Sequence, residues 1–174
     1  MSFLSVKIRC LPALLLGSII LLAGCTTEYI DTERLPVELR NKVAVQDIDI
    51  LFHEPDEPDD FYLTPDEALR DRLMVALEQN LAGVDGATPV DLRLVIRKHE
   101  QMPVSEHYLK SGWYHLSAGL TVLDAKTGET LGRYEVIEEY GVHPVLYPFL
   151  LNTDHDAELT NGMAEAVARL LRVG

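Results

Sequence analysis

Cysteine is nearly missing from the 174-residue chain, which has only Cys10 and Cys25. Two thiols cannot build a disulfide scaffold. Positive charge is scarce as well: 15 Lys and Arg face 28 Asp and Glu, for a formal charge of −13. That excess argues against a nucleic-acid partner, because phosphate needs a basic face. A run long enough to cross a bilayer is also lacking. The most apolar stretch, Cys10–Ala23, has 14 residues with Pro12 inside it, whereas a spanning helix needs about 20. Hydrophobic content is not low. At 47% hydrophobic and 25% charged the chain has globular values, which excludes a disordered chain, a collagen-like fibre and a multi-span membrane protein. The length suits one domain.

The first 24 residues stand apart. They carry Lys7 and Arg9, no acid, and the short apolar centre. A positive start, an apolar core and a small-residue end make a secretory signal. The closing Leu22-Ala23-Gly24-Cys25 resembles the lipobox of bacterial lipoproteins. In that family a peptidase cuts before the cysteine once its thiol carries a diacylglyceryl group, so the resemblance implies lipidation and cleavage at Cys25. The chemistry agrees: small residues let extended backbone enter a protease, and a thiolate is the better nucleophile. Each buried methylene contributes about 0.8 kcal/mol, and two signals give stable anchoring. Cleavage would leave 13 basic against 28 acidic residues, a charge of −15, and no free thiol. That suits an oxidising compartment. Thr26 follows the cysteine, not the aspartate that retains such lipoproteins in the inner membrane. The resemblance thus implies the outer membrane, periplasmic face.

Residues 25–42 read as the lipidated cysteine and a tether, and 43–174 as one small α/β domain. Val43–Phe52 alternates as a strand with one residue out of step near Gln46-Asp47, the mark of a bulge. Five acids crowd Glu54–Asp60 in what reads as a solvated loop. Thr64-Pro65-Asp66-Glu67 then opens a helix, with Thr64 as cap and Glu67 completing a capping box. Its apolar stripe is Ala68, Leu69, Leu73, Ala76, Leu77 and Leu81, and Gly83 is its stop. Val90–Arg97 and Trp113–Asp124 alternate as strands, the second with Leu116, Ala118, Leu120 and Val122 inward. Asp124–Gly128 is a hairpin turn leading to a strand over Leu131–Tyr140, and a helix from about Asp156 to Val173 closes the chain. The order strand, helix, strand, strand, strand, helix predicts a mixed four-stranded sheet with two helices on one face. This body resembles the small α/β domains of bacterial envelope lipoproteins, some similar to the amino-terminal domain of TolB. The resemblance rests on element order and carries no functional residue over.

Catalytic signatures are sparse. His115-Leu-Ser117-Ala-Gly119 has histidine where a nucleophile elbow has glycine, and its serine lies inside a strand. The six histidines show no metal-binding helical spacing. Asn152–Glu158 alternates oxygen ligands like a calcium loop, but Ala157 replaces the required glycine and Met163 the bidentate glutamate; Asp154 or Asp156 as a helix cap explains it better. No phosphate cradle occurs, because the Gly83–Gly86 pair lacks a lysine. No metal or cofactor is expected. One stretch is unusual: Gly141–Leu151 holds two prolines among large apolar residues, so it is either folded into the core or exposed for a partner. Val145, Leu146, Tyr147, Phe149 and Leu150 are the candidate contact residues, since aromatic anchors dominate binding surfaces, and Trp113-Tyr114 at the start of the third strand is either their neighbour or hydrophobic cover for the sheet end. The expectation is a non-enzymatic lipoprotein held to the membrane at Cys25 that binds an envelope protein. The rival expectation is a hydrolase or small-molecule-binding protein acting on envelope lipids or glycans, which would need a pocket with convergent polar groups.

Overall fold

The computed structural model describes residues 24–52, 66–101, 112–142 and 154–172. Within them the chain runs β1 (Gly24–Glu33), β2 (Val43–Phe52), α1 (Glu67–Leu81), β3 (Thr88–Gln101), β4 (Gly112–Asp124), β5 (Thr130–Val142) and α2 (His155–Arg172). The strands form one five-stranded sheet in the order β1-β5-β4-β3-β2. The mixed α+β class expected from the sequence holds. The four-stranded count does not, because β1 adds an edge that the apolar pattern hides.

Periodicity explains the interior of the sheet. β2 and β3 pair in parallel through the α1 crossover, with a register shift between Val45 and Asp47. This is where the alternation of β2 changes phase. β3 pairs antiparallel with β4, and β4 with β5. One face is lined by Ile50, Val90, Leu92, Leu94, Ile96, Leu116, Ala118, Leu120, Val122 and Val136, all buried. Burying each large aliphatic side chain contributes about 1.5–3 kcal/mol. Both helices cover this face. α1 buries Leu69, Leu73, Ala76, Leu77 and Leu81; α2 buries Leu159, Met163, Ala166, Val167 and Leu171. Ala68, expected in the stripe, is exposed.

Several boundaries differ from expectation. The N-cap of α1 is Asp66, whose side chain accepts from the amides of Ala68 and Leu69; Thr64 and Pro65 lie outside the described residues. The helix stops at Leu81 with Ala82 as C-cap, so Gly83 lies just beyond it. The β4–β5 turn is as expected. Gly128 takes φ +72°, and Asp124 Oδ1 accepts from the amides of Lys126 and Thr127.

The stretch read as a tether is largely built into the domain. β1 pairs antiparallel with β5 from Gly24↔Gly141 to Glu33↔Arg133. Leu35 is then fully buried, with its amide donating to the Tyr134 hydroxyl at 2.6 Å. Asn41, at φ 60°, turns the chain into β2; asparagine is among the residues that tolerate this region.

Candidate functional site

One end of the sheet gathers much of the candidate chemistry. The backbone of Cys25 pairs with Tyr140 on β5, and that of Trp113 pairs with Gly141. β5 ends one residue later, at Val142, and α2 begins at His155. The His155 ring stacks on Tyr114 at 4.0 Å between centroids and lies 5.4 Å from Tyr140. Beside this aromatic group, Asp154 Oδ1 caps α2 by accepting from the Ala157 amide at 3.1 Å. The cap reading of Asn152–Glu158 therefore holds at Asp154. Arg72 of α1 donates to the same oxygen at 2.8 Å. His99 of β3 meets Asp156 Oδ1 at 3.0 Å through Nε2. This network joins β3, α1 and the start of α2. Its Arg72–Asp154 pair is about half exposed, and exposed pairs contribute at most about 1 kcal/mol.

A shallow groove of about 350 Å³ runs between the helices, lined by Arg72, Val75, Gln79, Asp154, Ala157 and Asn161 among others. Its walls are mainly apolar, with the Arg72–Asp154 pair at one end. On the sheet face opposite the helices, His115 Nδ1 lies 3.1 Å from Glu139 Oε1. A carboxylate on Nδ1 orients an imidazole for proton transfer. However, Ser117, the next residue on that face, is buried in the middle of a paired strand, not raised on a strand-to-helix turn. Among the described residues no three His, Cys, Asp or Glu side chains converge to hold a metal ion.

The most unusual polar residue is one that sequence reasoning did not single out. Glu138 follows Tyr134 and Val136 on the covered face and is fully buried. It is flanked by Leu116 of β4 and Thr27 of β1. The Thr27 hydroxyl lies 2.6 Å from Oε2 and donates to it, while Oε1 is buried without a hydrogen-bond partner. Burial pushes the carboxyl above its ordinary range; the Thr27 hydroxyl and the Arg169 charge oppose that, and Glu165 adds to it. The signal for Glu138 was a carboxylate at an inward position of an alternating strand, which is costly unless paired or neutral. Its partner Thr27 could not be read, because no strand was assigned there.

Of the predicted site residues, Cys25 has its backbone in β1. Leu22 and Ala23, the acidic loop Glu54–Asp60, and Val145, Leu146, Tyr147, Phe149 and Leu150 lie outside the described residues. No described helix is long and apolar enough to cross a membrane.

No protein-family profile and no curated relative matches the chain. Similar solved structures include the PelC dodecamer from Paraburkholderia phytofirmans, at 11% identity over 87% of this chain and 100% of that one, TM-score 0.46. They also include a protein from Caulobacter crescentus described as a lipoprotein, at 17% identity over 71% and 86%, TM-score 0.38. A third is a minor lipoprotein from Acinetobacter baumannii, at 14% identity over 71% and 89%, TM-score 0.38.

Proposed function

We propose that the chain is a lipid-anchored bacterial envelope protein, held at Cys25 on the periplasmic face of the outer membrane. It acts there as a non-enzymatic binding or accessory module. The observation that carries this reading is Leu22-Ala23-Gly24-Cys25 behind a positive, then apolar, leader. The register supports it in one respect. Cys25 stands at the second pair of an edge strand, so a lipid there would hold one end of the sheet close to the bilayer. Thr26 after the cysteine favours the outer membrane.

The binding role rests on how the polar groups are used. Asp154, Asp156, Arg72 and His99 join secondary elements, and Glu138 is sealed beneath α2. The His115–Glu139 pair lies on the sheet face opposite the helices, and Ser117 beside it sits inside a paired strand rather than on a strand-to-helix turn. The partner is an envelope protein, and the apolar Val145–Leu151 segment supplies the contact.

The test of the anchor is Cys25→Ser, since a hydroxyl is a far poorer nucleophile than a thiolate. Metabolic palmitate labelling is expected in the wild type and not in the variant, which accumulates as unprocessed precursor. Equal labelling of both overturns the anchor. Crosslinking and capture from intact cells then tests the binding role, with one envelope protein expected as the recovered partner.

A further inference from the structure

We infer that β1 is a releasable latch, docked on the sheet through Thr27 and Glu138 and peeling away about Leu35 when the Glu138 carboxyl ionises. Four observations converge on this. Among the described residues β1 is the edge strand of the sheet, paired to β5, and Ile30 on it is 54% exposed. Near its start the Thr27 hydroxyl bonds Glu138 Oε2. The rest of that carboxyl is sealed: Oε1 has no hydrogen-bond partner, and a Cβ at Gly162 of α2 would lie 2.5 Å from it. Beyond β1 the chain is pinned, because Leu35 is fully buried, its amide donates to the Tyr134 hydroxyl, and its carbonyl accepts from Arg40 Nε at 3.1 Å.

An unpaired carboxylate in that place is strongly unfavourable. A neutral carboxyl sharing one hydrogen bond with Thr27 is tolerable. The docked state therefore requires a proton, and the released state does not, because lifting β1 removes the cover and lets water reach the carboxylate. The groups around Glu138 are Thr27 from β1, Leu116 from β4, and Glu165 and Arg169 from α2. The two helix charges have opposite sign and are exposed, so they do not replace the buried partner that the ionised form lacks.

The linkage has one sign. Docking holds the carboxyl above its ordinary value, so the docked state binds more protons than the released one. Docking is then fully favoured below the ordinary carboxyl range and weakens as pH rises through the raised value. Release would free Cys25–Glu33, the nine residues of β1 that remain after the proposed cleavage, an extended reach of at most about 32 Å. Under the proposed anchoring at Cys25, on which only this consequence rests, the latch sets how far the domain stands from its membrane.

The experiment is amide hydrogen exchange on the purified full chain in detergent between pH 5 and 8, with rates corrected for intrinsic base catalysis. Protection of the Thr26–Ile30 amides is expected to fall with pH, by up to about tenfold per pH unit for one linked proton, while β4 amides keep theirs. Glu138→Gln, neutral at every pH, is expected to flatten the β1 profile. A flat β1 profile in the wild type, or the same slope in Glu138→Gln, overturns the latch. Should Glu138→Gln not fold, Thr27→Val decides. Lower β1 protection at pH 5 with β4 unchanged supports the latch, and unchanged β1 protection overturns it. Exchange reports the latch and palmitate labelling the anchor, so the two readings fail separately.

Discussion

A Cβ placed on Gly162 of α2 would lie 2.5 Å from both Cδ and Oε1 of Glu138 on β5. Helix and strand are this close because one residue has no side chain and its neighbour has a long one bent beneath it. In an ordinary helix interior Gly→Ala gains about 0.5–1 kcal/mol. Here the clash outweighs that gain, since overpacking costs about 1–3 kcal/mol.

Gly162→Ala is therefore expected to lower stability, and adding Glu138→Ala to restore most of the loss. Denaturant titration of the single and double variants measures the coupling. Residues in contact couple by about 0.5–3 kcal/mol, and additive effects would refute the packing described.

The core is tested on each layer. Leu77 on α1 and Leu120 on β4 are 0% and 1% exposed. Leu77→Asp and Leu120→Asp each bury an unpaired carboxylate and are expected to abolish cooperative thermal unfolding followed by circular dichroism. A transition near the wild-type midpoint in either variant would be the contrary result.

The start of α1 is tested at Asp66. Removing a side chain that caps two amides costs about 1 kcal/mol, within a range of about 0.5–2. Asp66→Ala is expected to lose that amount in urea unfolding, with Asp66→Asn losing less because the amide oxygen still accepts.

The β4–β5 hairpin carries an acid-sensitive element. Amide donors from Thr127 and Lys126 hold Asp124 below the ordinary carboxylate range. The ionised form is thus preferred when folded. Its contribution is present above the ordinary value and fades as pH falls through the lowered one. Comparing wild type with Asp124→Asn between pH 2 and 6, the difference in midpoint is expected to shrink toward acid.

The segment after β5 is tested by paired measurements. With Tyr147 and Phe149 both replaced by alanine, capture of the partner is expected to weaken while the melting midpoint stays near wild type. A buried aromatic lost to alanine costs about 3–5 kcal/mol, so an early melt would assign the segment to the core and move the interface elsewhere.

Much of the fold was legible in local pattern. The bounds of β2, its phase change near Gln46, the inward face of β4, the Asp124–Gly128 turn and the helical stripes all follow from residues within one or two turns of each other. Boundary details were less legible. Asp66 and Thr64 offer the same capping chemistry two positions apart, and only the backbone geometry around Asp66 selects between them. Of the site, Cys25 came from a motif, Asp154 from cap chemistry and the aromatic Tyr114 from its place at a strand end, while its stacking on His155 required the fold.

The sequence by itself determined the class: which segments alternate, which follow a helical period, where turns form, and that acid dominates the charge. It also put a carboxylate on the inward phase of β5. Only the tertiary structure decided that residues 24–33 are a strand and that Thr27 is the partner of Glu138. The physical reason is distance along the chain. Thr27 and Glu138 are 111 residues apart, and β1, with little apolar alternation of its own, is a strand by virtue of its pairing with the distant β5.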